Sequence, residues 1–155
     1  MKTIVLCFLL HLSAIVSAKH IAATFQEAEK RGLTVKKLDQ KYHNALDNDP
    51  DNAVFTGKKK DSFYKAYVKM LTDLNVFLKK NNFTWGKPTR IVHRIYFENN
   101  GSISYYLVNL KPVGMSEEKE KRFLTILNQF IQHYRINITG ASNFAQCGPA
   151  IYQDN

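Results

Sequence analysis

The order of patterns along the chain predicts an α+β protein, and three observations predict it. Apolar side chains recur at helical spacing between Thr24 and Lys80. From Arg90 the period changes to two, around an Asn-Gly turn. A helical stripe returns after Ser116 and is followed by a last apolar run, Phe144 to Tyr152. The expected architecture is a helical N-terminal half followed by a β-hairpin, a packing helix and a third strand, in the order ββαβ. Residues 1–18 are expected to be a signal peptide and residues 19–155 a single domain. Within it, 19–88 is the helical part and 89–155 the ββαβ part.

The leader is read from a short basic start at Lys2, an apolar stretch from Ile4 to Leu12, and small residues in Val16-Ser17-Ala18. The apolar stretch is shorter than the roughly 20 residues of a membrane span. Export follows, to the periplasm or the outside medium, with no transmembrane segment in the mature chain. Of 155 residues, 45% are hydrophobic and 12% aromatic, which excludes a disordered, collagenous or mucin-like chain. Cys7 falls in the leader, so Cys147 is the single thiol of the mature domain and an intramolecular disulfide framework is excluded.

Thr24 to Arg31 reads as a short helix ended by Gly32, and Thr34 caps a second. Val35, Leu38, Tyr42, Ala45 and Leu46 share one face of that second helix. The turn formers from Asp47 to Asn52 break it, and Lys58-Lys59-Lys60 reads as a basic loop. Asp61 or Ser62 starts a long helix with Phe63, Tyr67, Val68, Leu71, Leu74 and Leu78 on its stripe, closed by Lys79-Lys80. Ile91, His93, Ile95 and Phe97 alternate with Val92, Arg94 and Tyr96 as a strand. With Asn100-Gly101 as a two-residue turn, the return strand Ile103 to Leu110 sets Tyr96 opposite Tyr105 and Ile95 opposite Tyr106. Ser116 is an N-cap followed by Glu117, Glu118 and Glu120, and Phe123, Ile126, Leu127, Phe130, Ile131 and Tyr134 form the helix stripe. Phe144 to Tyr152 is the last strand, bent at Gly148-Pro149.

No catalytic motif stands out. His20, His43, His93 and His133 lack metal-site spacing. Asp47-x-Asp49-x-Asp51 begins like a calcium loop, but Asn52 stands where the hinge glycine belongs and Lys58 where the bidentate Glu belongs. An acidic turn is the reading that remains, and no metal or cofactor is expected. Cys147 is read first as a small residue at a strand bend, with an intermolecular disulfide and a nucleophile as alternatives. The formal charge of +9 is spread over separate elements, so specific nucleic-acid binding is not expected.

The segment Ile95-Tyr96-Phe97-Glu98-Asn99-Asn100-Gly101-Ser102-Ile103, the helix from Ser116 to Tyr134 and the strand Phe144 to Tyr152 resemble the C-terminal domain of TonB-type energy transducers. The chain is also similar to small exported proteins of the Bacteroidetes type, through its Phe144-Ala145-Gln146-Cys147-Gly148-Pro149 ending. The departures are a cleavable leader in place of a membrane helix, four prolines in place of a Pro-rich linker, and Leu110-Lys111-Pro112-Val113-Gly114 after the second strand. The resemblance implies an envelope protein or peptide as partner, bound at the edge of the last strand, with Phe144, Gln146, Ile151 and Tyr152 as site residues. Pro149 counts against that edge because it lacks a donor. A binding role is favoured over an enzymatic one. The alternatives are a small basic hydrolase using His93 and Glu98, and an electrostatic binder of anionic envelope surfaces. Oligomeric state is not legible.

Overall fold

The computed structural model describes residues 20–154, so the expected leader, 1–18, lies outside the described residues. The described residues form an α+β fold, with a five-stranded mixed sheet and four α-helices among them. The elements are β1 (Ile21–Thr24), α1 (Phe25–Lys30), α2 (Val35–Asp39), β2 (His43–Asn44), α3 (Lys58–Lys80), β3 (Thr89–Phe97), β4 (Ile103–Asn109), α4 (Glu117–His133) and β5 (Phe144–Tyr152), with short 3-10 turns at Pro50–Asn52 and Lys111–Val113. The sheet order is β1-β4-β3-β5-β2. β3 is central and antiparallel to both β4 and β5, while β1 runs parallel to β4 and β2 parallel to β5.

Alternation along β3 divides the sheet into two faces. Ile91, Ile95 and Phe97, with Tyr106 and Val108 of β4, meet Phe63, Tyr67, Met70, Leu74 and Leu78 of α3 and the stripe of α4. On the other face Tyr96, Leu107, Ala145, Ile21 and Ala23 pack against Ala28 of α1, Leu38 of α2 and Tyr42. These two short helices cover only one end of that face. At the other end Arg90, Cys147, Pro149 and Ile151 are exposed.

Ser116 caps α4 as the sequence predicts, accepting a hydrogen bond from the Lys119 N–H, and β5 has the predicted bounds. The hairpin keeps the predicted pairs Tyr96–Tyr105 and Ile95–Tyr106 by another route. Glu98 and Ser102 close a three-residue loop, through the Glu98 N–H donating to Ser102 O at 2.8 Å. Gly101 sits in that loop at φ 86°, where a Cβ would lie 2.5 Å from Ile136 O. Phe97 pairs with Ile103 and Tyr96 with Tyr105, which leaves Ser104 bulged. Without the bulge, Tyr105 would face Ile95 and Tyr106 would leave the core.

The first half departs from the all-helical expectation. Ile21–Thr24 is a strand, buried at every position, so it carries no period to read. Thr24 ends it and caps α1 through a capping box with Glu27. The second helix stops at Asp39 rather than running on to Leu46, because Asp39 is held by Arg94 (2.6 Å) and Tyr42 turns to pack edge-on against Tyr96 at 5.2 Å. Lys58–Lys60 is the first turn of α3 rather than a loop, started by Gly57 at φ 53° without a side-chain cap.

The two edges of the sheet are finished differently. At β1, the Asn128 side chain of α4 accepts from Ala22 N–H and donates to Ala22 O, both at 2.9 Å. This amide replaces a neighbouring strand. At β5, the strand β2 covers the first two residues and then ends.

Candidate functional site at the open edge of the sheet

The free stretch of β5 begins where β2 stops. His43 N–H donates to Asn143 O at 3.1 Å, and Ala45 N–H to Ala145 O at 2.7 Å. Odd-numbered residues of β5 therefore aim their backbone groups away from β3, and even-numbered ones bond to it. Past Ala145 this makes Cys147, Pro149 and Ile151 the residues of the open edge. The Cys147 carbonyl accepts from Gln146 Nε2 at 2.9 Å, and Gln153 O accepts from Asn75 Nδ2 at 3.3 Å. The Pro149 carbonyl and both backbone groups of Ile151 lie between these two bonds, and the Cys147 N–H just before the first. Pro149 stands opposite Val92 with its missing donor directed outward, so it costs the β3–β5 ladder nothing.

The four side chains named from the sequence divide between core and surface. Phe144 and Tyr152 point into the core and are buried. Phe144 lies between Phe55, Phe63 and Phe97, at centroid distances of 4.9, 5.9 and 4.9 Å. Tyr152 stacks on Trp85 at 5.0 Å. Gln146 reaches the surface beside Cys147, and Ile151 is 69% exposed on the uncovered face. The edge thus offers Cys147, Pro149 and Ile151, two of which the sequence reading did not select. No periodicity shows which way a backbone faces; only the β2 hydrogen bonds do.

The end of β5 is tied down. Asp154 accepts from the Trp85 N–H at 2.8 Å and the Gly86 N–H at 2.7 Å. These bonds hold its carboxyl below the ordinary carboxylate range. Trp85 Nε1 donates to Asn75 Oδ1 at 3.3 Å, and Lys119 Nζ donates to Trp85 O at 3.0 Å.

The other candidate groups are engaged elsewhere. His93 is fully enclosed on the helix-covered face, its Nε2 3.3 Å from Tyr152 Oη. Burial pushes its pKa down to about 3. Its Nδ1 and the hydroxyls of Tyr67 and Tyr106 are buried without a partner. Glu98 lies beyond the far end of β3, where it accepts from Tyr42 Oη at 2.8 Å and from Ser104 Oγ. Five residues of extended chain place it roughly 16 Å from His93. Asp47 accepts from the Asp49 N–H at 3.0 Å and Asp49 from the Asp51 N–H at 3.1 Å, so the acidic turn uses its carboxylates on its own backbone. Cys147 is an exposed free thiol.

No family model, curated protein or solved structure matches the chain. Among the described residues no helix is long and apolar enough to cross a membrane.

Proposed function

We propose that this protein is an exported, non-enzymatic module that binds an extended segment of an envelope protein or peptide along the free edge of β5. The observation that carries the reading is that β5 runs on past the two-residue β2 with outward backbone groups at Cys147, Pro149 and Ile151, whereas the opposite edge is closed by Asn128. An open edge is a template for an added strand. The uncovered face beside it carries Ile151, Pro149 and Val92, which gives alternate side chains of the added strand an apolar surface. The order of hairpin, packed helix and returning strand supports a TonB C-terminal-like ββαβ arrangement, extended here by β1 and β2. The apolar leader sequence supports a periplasmic or extracellular site of action. The outward parity limits the donors to Cys147 and Ile151, since Pro149 supplies only a carbonyl.

The test is Ile151→Pro. It deletes an outward N–H and no ladder bond to β3, so melting stays close to that of the unaltered protein. Cross-linking of the mature protein in its native envelope fraction is compared for the two. A discrete protein partner held by the unaltered chain and lost from Ile151→Pro is the expected result. Equal capture by both, or no discrete partner, overturns the proposal.

A further inference from the structure

A second feature of the uncovered face lies on the far side of β3 from the open edge. The start of β3 and the 3-10 turn Lys111–Val113 enclose a cleft of about 350 Å³. Val92, Pro112 and Val113 supply its apolar walls, Asn109 an amide, and Lys87 and Arg90 its charge. The volume falls within the usual range of small-ligand sites, near its lower end.

The charge of the cleft is uncompensated. The ion pairs among the described residues are Lys69–Asp73 and Arg94–Asp39, and neither involves Lys87 or Arg90. No Asp or Glu lines the cleft. Two cations beside apolar walls attract an anion more strongly than two cations in open water, because the walls lower the local dielectric. Arg90 adds a planar fork that matches a carboxylate with two parallel hydrogen bonds. Asn109 stands opposite Val92 across the β3–β4 ladder, and its Oδ1 is buried without a partner. Asn109 also lines the cleft, which places its amide among the groups available to an occupant's N–H.

From this charge and these walls we infer that the cleft binds the C-terminal end of a short peptide, with its free carboxylate on Arg90 and Lys87 and an aliphatic last side chain on Val92 and Val113. A compact peptide end combines the anion, the N–H and the branched apolar group in a space of this size. The site shares Val92 with the face beside the β5 edge, while its charged groups, Lys87 and Arg90, are separate from the outward backbone groups of that edge.

The probe is N-acetyl-valyl-valine, titrated into the mature protein by calorimetry and by following the Val92 and Val113 methyl resonances, with its C-terminal amide as control. The free acid binds and shifts both methyls, and the amide binds at least tenfold more weakly. Arg90→Gln and Lys87→Gln each weaken the acid about tenfold with little effect on the amide, and high salt weakens the acid alone. Ile151→Pro leaves the titration unchanged, so failure here and failure of the edge proposal are separate results. Equal binding of acid and amide overturns the inference, as do unmoved methyls or no heat at millimolar peptide.

Discussion

Asn128 stands in for a strand, and replacing it by leucine measures what that substitution is worth. Leucine fills a similar volume and removes every hydrogen bond of the amide. Ala22 loses the acceptor of its N–H and the donor to its carbonyl, both now at 2.9 Å, in a residue that is 5% exposed. A buried polar group left unpaired costs about 1–3 kcal/mol, and partial wetting of an edge strand recovers some of it. The expected loss for the pair is roughly 2–3 kcal/mol, a fall in melting temperature on the order of 6–12 °C for a domain of this length. Urea unfolding followed by circular dichroism gives the first figure, and a thermal scan the second. Asn128→Asp refines the test. Its carboxylate still accepts from the Ala22 N–H but faces the carbonyls of Ala22 and Leu124 without a proton to donate. That variant is least stable at neutral pH and recovers relative to Asn128→Leu as acid restores the donor. The freed edge of Asn128→Leu also makes association depend on concentration, which sedimentation reads directly. A leucine variant within 0.5 kcal/mol of the original, and monomeric throughout, would refute the claim that this amide closes the edge.

Two further outcomes follow from the titrating groups. His93 is held neutral by burial with a folded pKa of about 3, against about 6.5 when unfolded, so its contribution is complete above pH 6.5 and is lost as pH falls toward 3. Across that window it adds a slope of up to about 1.4 kcal/mol per pH unit, and His93→Gln flattens the stability profile; an unchanged slope would show that the loss arises elsewhere. Asp154 has the opposite charge and the same direction: its folded pKa is depressed, so its hold on Trp85 is present above the ordinary carboxylate range and lost in acid below it. Asp154→Ala should make the chain's one tryptophan more accessible to acrylamide at neutral pH, with the difference vanishing in acid; equal quenching at neutral pH would show the contact to be idle.

What could be read from the chain depended on whether neighbours in sequence decide the outcome. α4 and β5 were legible because Ser116, the acidic first turn and the apolar run from Phe144 to Tyr152 are local signals. The hairpin pairs were legible, but the loop was not, since Gly101 lies against the Ile136 carbonyl, which arrives from beyond α4. β1 was missed because a strand buried on both faces has no alternation, and the Thr24 cap drew the reading toward helix. Tyr42 sits at helical spacing after Leu38, yet Tyr96 and Tyr105 claim it from across the sheet. At the edge, the sequence named the same strand, β5, on which the binding role is proposed. It selected Phe144 and Tyr152, whose aromatic bulk serves the core, and passed over Cys147 and Pro149, whose backbone faces outward. The cleft was invisible because Pro112 and Val113 reach Arg90 only once β4 has turned back.

The bulge at Ser104 has a consequence for how this chain tolerates changes of length. Between Glu98 and Tyr105 the hairpin holds one residue more in its loop than a two-residue turn needs, and one unpaired residue in β4. Removing Ser104 would straighten the ladder and leave Tyr96 opposite Tyr105; removing one loop residue would tighten the turn and leave the same pair. A deletion at either point is absorbed before the central strand notices it. The same deletion two residues further along β4 would exchange its inner and outer side chains. The hairpin end therefore works as an expansion joint, confining insertions and deletions to the tip while the phase of β3, and of the strands that take their register from it, stays fixed.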